Sequence, residues 1–186
     1  DKYKEAIGLL RKHNVFVEGG FIIFNPYSTF NSLRNDAGFI RDLGVPLLGY
    51  YTKQLLAYPG TKLFDKLLKD NMLTHYDYKR IEFRYKDKKI ADLYSYLSGL
   101  FASVEDLDNS LFESIDFGVK LKAVLHKIEN GNTLAKAQAF LSESKDVYSK
   151  VTDLNYRFFC DLLEAFEGSK GSAHVKDIEQ KFLYEY

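Results

Sequence analysis

The sequence is poor in the residue that most often builds covalent or metal-held frameworks. It contains a single cysteine, Cys160, among 186 residues. One thiol can form no internal disulfide and cannot supply a metal site that needs several cysteines. We therefore expect a chain without disulfides or a metal site of its own, in a reducing, cytoplasmic compartment.

The sequence also lacks an excess of charge of either sign. Its 26 lysines and arginines balance its 26 aspartates and glutamates, so the formal net charge is zero. Because nucleic-acid binding depends on neutralising phosphates, we expect no nucleic-acid partner. No apolar run approaches the roughly 20 residues that span a bilayer, and we expect no membrane partner.

Sequence motifs of common catalytic sites are missing as well. The four histidines are scattered without the spacing of metal ligands, and there is no phosphate loop, zinc signature or hydrolase elbow. The four histidines are His13, His75, His126 and His174. Surface positions or satisfied buried positions are the expected places for them, and we assign no catalytic or metal-binding residue.

The first 70 residues alternate between helical and extended patterns. Apolar residues recur at helical spacing in 3–13, 30–43 and 61–68, whereas 15–24 and 47–56 are rich in β-branched and aromatic residues. Strands that alternate with helices predict a parallel sheet. Since two strands do not form a stable sheet alone, we expect an α/β fold, a partial βα barrel with two parallel strands, completed by upstream strands or another copy.

The rest of the chain reads as helix after a short extended segment. Residues 79–86 alternate strictly, which predicts a half-buried or edge strand, or an extended arm. Helical periodicity then continues from Ile90, with a break at 130–132 and a loop at 168–172. The predicted domains are a barrel part at 1–75, an extended linker at 76–89 and an all-helical C-terminal domain at 90–186.

Two loop motifs stand at the ends of the predicted strands. Residues 20–29 read GFIIFNPYST, and residues 57–61 read AYPGT. They resemble two motifs of radical S-adenosylmethionine (SAM) enzymes, roughly G-F-I-x-G-x-P-x-E-T and P-Y-P-G-T, which occupy successive strand-to-helix loops. Phe24 replaces the second glycine of the family pattern, and Ser28 replaces its glutamate. The resemblance covers residues 3 to about 95, and its loop form and residues 78–94 are similar to cobalamin-binding members.

The resemblance implies a parent enzyme with its own cofactors. Radical SAM enzymes hold a four-iron four-sulfur cluster on three cysteines spaced C-x3-C-x2-C, and the cluster cleaves SAM to a 5′-deoxyadenosyl radical. The branch similar to this chain uses SAM with cobalamin. Because this chain has one cysteine and begins at Asp1 without methionine, we expect the C-terminal part of a longer oxidoreductase, inactive and without bound cofactor on its own.

The resemblance also implies a set of site residues on the two loops. In the family, the backbone near the first motif packs on the adenine of SAM. The cofactor-binding candidates are therefore Ile22, Phe24, Asn25, Pro26 and Ser28, with Ile22 and Phe24 as an apolar wall and Asn25 near the base edge. Ser28 and Thr29 also fit helix caps, which is the simpler interpretation of both.

The second loop supplies the candidates for the substrate cleft. They are Gln54, Leu56 and Tyr58, at the carboxyl end of the second predicted strand, where ligands of parallel βα units bind. For Gln54, a contact with the small-molecule substrate of the parent and a hydrogen bond between strands are equally good interpretations.

Two other functions remain open at this point. The helical region would form a non-enzymatic interaction module if its aromatic stripe bound a partner protein; this stripe comprises Tyr94, Phe101, Phe112, Phe140, Tyr148 and Phe158. Another class of βα-barrel enzyme would share the fold without the chemistry. Without the missing N-terminal half, the edge of the first strand would be exposed, so we also expect self-association there or coverage by the helical region.

Overall fold

The computed structural model describes residues 2–13, 20–77 and 81–186, and within them helices dominate. In chain order the elements are α1 (Lys2–Lys12), α2 (Phe30–Asp42), a 3₁₀ helix (Leu48–Thr52), α3 (Lys62–Lys69), β1 (Leu73–Tyr76), β2 (Ile81–Phe83), α4 (Lys88–Val124), a second 3₁₀ helix (Leu125–Lys127), α5 (Gly131–Glu167) and α6 (Ser172–Glu185). The long helices α4 and α5 form an antiparallel hairpin, against which α2, the first 3₁₀ helix and α6 pack.

The predicted partial βα barrel with two parallel strands is wrong. The sheet found in the described residues is the antiparallel pair β1–β2, in which Leu73 faces Phe83 and Tyr76 faces Ile81. Half of the predicted strand at 47–56 is instead a 3₁₀ helix, Leu48–Thr52. Of the strand predicted at 15–24, residues 14–19 lie outside the described residues, and Phe24 forms one isolated parallel bridge with Gln54.

A buried carboxylate from α4 explains why 47–56 does not extend as a strand. The two side-chain oxygens of Asp108 accept hydrogen bonds from the backbone N–H groups of Leu48, at 2.7 Å, and Gly49, at 3.2 Å. These donors open the 3₁₀ helix, which also carries Tyr51 into the core against the ring of Phe159. Because Asp108 lies about 60 positions along the chain, the local pattern of 47–56 contains no trace of this contact.

The short helices follow their sequence signals. Thr29 caps α2 through a reciprocal capping box with Ser32, and Thr61 caps α3 by accepting from the backbone N–H of Phe64. Gly44 has a positive φ of 62°, as expected for the left-handed residue that ends a helix. The helix predicted over 3–13 is confirmed as α1, and the alternating run at 79–86 contains β2.

The helical C-terminal region begins and breaks close to the predicted positions. Asn130 caps α5 by accepting from the backbone N–H of Thr133 at 3.0 Å, which explains the break at 130–132. The final helix α6 docks through Phe182, whose ring stacks on Phe158 at 4.0 Å. Although α4 and α5 have 37 residues each, no helix in the described ranges has the length and apolarity needed to cross a membrane.

One apolar core joins the N-terminal elements to the helices. It includes Phe24 and Leu33 from the first part of the chain, Leu97 from α4 and Leu162 from α5, each fully buried. Each such side chain stabilises the fold by about 1.5–3 kcal/mol through burial alone. A smaller cluster, formed by Ala57, Phe64, Leu67 and Met72, lies beneath the second loop motif and α3.

Candidate functional site

The two loop motifs lie side by side in the structure. The backbone N–H of Leu55 donates to the carbonyl oxygen of Phe24 at 2.8 Å, and the N–H of Phe24 donates to the carbonyl oxygen of Lys53 at 3.0 Å. Since the bridged segments run in the same direction, 25–29 and 56–61 both leave the bridge on its carboxyl side. We call these two segments together the loop pair.

Hydrogen bonds inside the first loop use the polar side chains that the sequence singled out. Asn25 Oδ1 accepts from the backbone N–H of Tyr27 at 2.9 Å, and the buried Ser28 Oγ accepts from the N–H of Asn25 at 2.9 Å. Buried Pro26 accepts through its carbonyl oxygen from the N–H of Lys86 at 2.9 Å. These contacts fix the shape of the loop, which is the role that Asx and Ser turns have in many loops.

Phe24 is placed in the core and away from the solvent side of the loop pair. Its ring is fully buried and makes edge contacts with the rings of Tyr94 at 5.2 Å and of Tyr85 and Phe159, each at 6.3 Å between centroids. Its neighbour Ile22 is 46% exposed. An apolar wall on the solvent side would therefore be built from Ile22, with Phe24 supporting it from below.

The three candidates on the second segment divide into one anchored and two exposed residues. Gln54 Nε2 donates to the hydroxyl oxygen of Tyr85 at 2.8 Å, and burial raises the pKa of that phenol well above its usual range. Leu56 and Tyr58 are 64% and 60% exposed. The loop pair therefore has two large side chains in solvent, and Ile22 exposes a third just before the bridge.

Sequence reasoning missed a set of contacts that ties the first loop to α3. The Tyr27 hydroxyl donates to Asp70 Oδ2 at 2.7 Å, and Lys66 Nζ lies 4.0 Å from the centre of the Tyr27 ring. Desolvation, together with Asp70, raises the pKa of Tyr27 to about 12. The four-residue spacing of Lys66 and Asp70 was a signal that both lie on one face of α3, but nothing local linked them to Tyr27.

The loop pair presents both polar and apolar groups. Asn25, Tyr27, Ser28 and Thr61 make hydrogen bonds through their side chains, whereas Leu56 and Tyr58 expose apolar surface to solvent. Cys160 lies elsewhere, on α5, in the wall of a cavity of about 400 Å³ between α2, α5 and α6. Burial raises the pKa of the Cys160 thiol, the opposite of the shift that activates a nucleophilic cysteine.

The residues of this chain do not fit an iron–sulfur cluster of the radical SAM type. Such a cluster needs three thiolates, and the chain has one cysteine. Across the described ranges, no group of three or more histidine, cysteine, aspartate or glutamate side chains is arranged to hold a metal ion. We therefore derive no catalytic step on this chain through a cluster.

The aromatic stripe considered for a partner protein is divided between the core and the surface. Phe158 is buried, and Tyr94 and Phe101 pack against the core, whereas Phe140 and Tyr148 lie half-buried earlier in α5. The Tyr148 hydroxyl is hydrogen-bonded to that of Ser114 at 2.8 Å.

Comparisons of the chain with protein-family models, with curated proteins and with solved structures found no match.

Proposed function

We propose that this chain is part of a radical SAM enzyme, in which the loop pair forms one wall of the cleft for SAM and the small-molecule substrate. The observation that carries the proposal is the adjacency of the two motifs. Residues 20–29 and 57–61 were singled out by their sequence alone, and the bridge between Phe24 and Gln54 brings them to one edge. This supports a shared role in binding, without the partial barrel that the structure excludes.

Exposure divides the candidate residues into two roles. Ile22, Leu56 and Tyr58 offer apolar surface to solvent and would contact the adenine of SAM or the substrate. Asn25 and Ser28 hold the loop in shape and would keep the wall in place when the ligand binds. A preformed apolar surface with a few fixed polar groups is what small-molecule sites generally show.

The catalytic chemistry would come from another segment of the same protein. Bound SAM and a reduced cluster would supply the 5′-deoxyadenosyl radical there. The residues of the loop pair would orient the adenosyl group and exclude water. We extend the proposal to a reducing, cytoplasmic compartment because the chain has a single cysteine. We extend it to cobalamin because the motifs are similar to those of cobalamin-binding members.

The first test is the complete coding sequence to which this chain belongs. We expect it to encode three cysteines spaced C-x3-C-x2-C, and their absence would rule the proposal out. The purified 186-residue chain is expected to bind neither cluster nor SAM after treatment with iron and sulfide. Visible iron–sulfur absorbance from this chain alone would contradict that expectation.

The second test examines the loop pair within the complete protein. Leu56→Asp places a charge on the apolar wall, and desolvating that charge should weaken SAM binding about tenfold or more. The matched control is Leu68→Asp, because Leu68 is also exposed, at 43%, but lies on α3 outside the loop pair. Equal SAM affinities for wild type and Leu56→Asp, measured by titration calorimetry, would show that the loop pair is not the SAM wall.

A further inference from the structure

The distal half of α4 carries an exposed stripe that takes no part in the core. We define the arm as the part of the hairpin beyond Asp108, that is, residues 109–124 of α4 and the facing part of α5. We define the arm stripe as a line of exposed α4 residues, spaced alternately four and three positions apart, that begins just before the arm and continues along it. The arm stripe consists of Asp106, Ser110, Glu113, Phe117, Lys120 and Val124, all exposed. This spacing places residues in one line along a helix, as at the seam of a coiled coil.

The chemistry of the arm stripe changes along its length. Two acids, Asp106 and Glu113, lie toward the core, the 54% exposed ring of Phe117 lies in the middle, and Lys120 and the 45% exposed Val124 lie toward the tip. The whole helix follows the same trend. Between residues 90 and 119, α4 has no lysine or arginine but six acids, whereas the following residues bring Lys120 and Lys122.

We propose that the arm stripe binds a second copy of the chain in antiparallel orientation, so that two arms form a four-helix bundle. A two-fold axis midway between Glu113 and Lys120, at the step from Asp116 to Phe117, would place residues at equal distances before and after it opposite each other. Glu113 of one copy would then face Lys120 of the other, twice, and the two Phe117 rings would lie next to each other at the axis. Such a self-complementary patch is what a two-fold symmetric interface requires.

The charges exclude the alternative orientation of the same two helices. In a parallel pair, Glu113 would face Glu113 and Lys120 would face Lys120, and both contacts would be repulsive. A basic or acidic foreign partner would complement only one end of the arm stripe. A second copy in antiparallel orientation complements both ends with the same residues.

The structure around Phe117 prepares it for such a contact. Its ring lies against that of Phe140 on α5, with 5.3 Å between centroids and an angle of 77°. Val147, 48% exposed, is two turns from Phe140 on the same face of α5 and extends the apolar surface. Lys120 is paired with Asp116 of its own helix but stays 73% exposed, so it can also reach the second copy. With so few apolar residues, we expect a dissociation constant on the order of micromolar.

The test is sedimentation equilibrium of the chain over concentrations that span the micromolar range. Glu113→Lys and Lys120→Glu each create two like-charge contacts, and each variant alone should dimerise about tenfold more weakly or worse. An equimolar mixture of the two variants should regain wild-type affinity, because each heterodimer contains two attractive pairs. The double variant should regain it as a homodimer.

Two further variants show whether the dimer depends on the arm stripe itself. Lys122→Glu makes the same change of charge at an exposed position of α4 off the stripe and should leave the dimer unchanged. Phe117→Ala should weaken it about thirtyfold, as expected for an aromatic residue at the centre of an interface. Thermal melts followed by circular dichroism check that each variant is folded, and formation of the heterodimer checks both charge variants at once.

Three results would overturn the proposal. The first is a monomer at all concentrations. The second is a dimer that tolerates both charge reversals, which would place the interface outside the arm stripe. The third is a mixture of Glu113→Lys and Lys120→Glu that stays monomeric although each variant is folded.

Discussion

The two halves of α4 have the same helical conformation but opposite surroundings. In the first half, Ile90, Leu93, Leu97 and Leu100 are buried in the main core. In the arm, Gly118 is the one described α4 residue in the buried class, and it has no side chain. Since helices in proteins are stabilised mostly by packing of an apolar face, the first half depends on the core and the arm depends on its hairpin partner.

Helix α5 is likewise divided into a buried half and an exposed half. The division is therefore a property of the whole hairpin. The last three turns of α5 bury Phe158, Phe159, Leu162 and Leu163, whereas Ala137 is the buried residue of its first three turns in the described chain. The core half of the hairpin therefore fixes the fold. The arm is left with apolar side chains in solvent, and so it is the half that is free to bind a partner.

Two leucines ten residues apart on α4 give the strongest test of this difference. Leu97 is fully buried and Leu107 is 51% exposed. Leu97→Ala should lower the free energy of unfolding by about 2–5 kcal/mol, because it leaves a cavity in the core. Leu107→Ala should change it by no more than about 0.5 kcal/mol, as at other surface positions. Urea denaturation of the two variants measures both values, and similar losses would show that α4 is packed as tightly around Leu107 as it is around Leu97.

The helices of this fold were predictable because their signals are local. Helical periodicity, the capping residues Thr29, Thr61 and Asn130 and the break after residue 129 all act within a few residues along the chain. The prediction of a strand at 47–56 was wrong because the conformation of this segment is decided by Asp108, which is distant in sequence. Tertiary contacts overrode a β-rich composition there, as strand propensity commonly allows.

Sequence reasoning about the candidate site had the same limit. The two loop motifs could be singled out because each is short and contiguous. The direction in which Phe24 points was not predictable, because it depends on the rings of Tyr94 and Phe159, which are supplied by α4 and α5. The anchoring of Tyr27 by Asp70 was likewise invisible, because it joins two segments 43 residues apart.

Two glycines, one packed against the core half of the hairpin and one in the arm, should change the stability in opposite directions when replaced by alanine. A Cβ at Gly49 would lie 3.1 Å from Asp108 Oδ2 and 3.2 Å from the ring of Phe101, so both groups would have to shift by a few tenths of an ångström. Gly49→Ala should therefore cost about 1–2 kcal/mol of stability, even after the entropic gain of replacing glycine. In the arm, a Cβ at Gly118 would meet Leu141 at an ordinary 3.7 Å.

Gly118→Ala should consequently stabilise the chain by about 0.5–1 kcal/mol, the usual gain for alanine over glycine inside a helix. Both values come from the same denaturation experiment. Stabilisation by both substitutions would mean that the contact between Gly49 and Asp108 is loose. A loss at Gly118 would mean that the arm is packed more tightly than its exposure indicates.

The smallest effect is expected at Asp108, where the core half of α4 meets the arm. Burial raises the pKa of this carboxyl group, against the opposing influence of the Leu48 and Gly49 N–H groups, the Tyr186 hydroxyl and Lys53. A raised pKa in the folded chain means that the protonated acid favours folding. That contribution is fully present below the ordinary value of 3.8 and is lost as the pH rises through the raised value.

Asp108→Asn does not titrate, so it lacks this pH dependence while keeping a similar shape. The stability of wild type relative to Asp108→Asn should therefore fall as the pH rises from below 3.8 toward neutrality. Asp106→Asn is the matched control, because Asp106 is exposed and two residues away on the same helix. A difference between wild type and Asp108→Asn that stays constant or grows with pH would mean that the hydrogen bonds to Leu48 and Gly49 outweigh burial. The carboxylate would then be held as an anion that locks the 3₁₀ helix to α4, and the boundary between core and arm would depend on its charge.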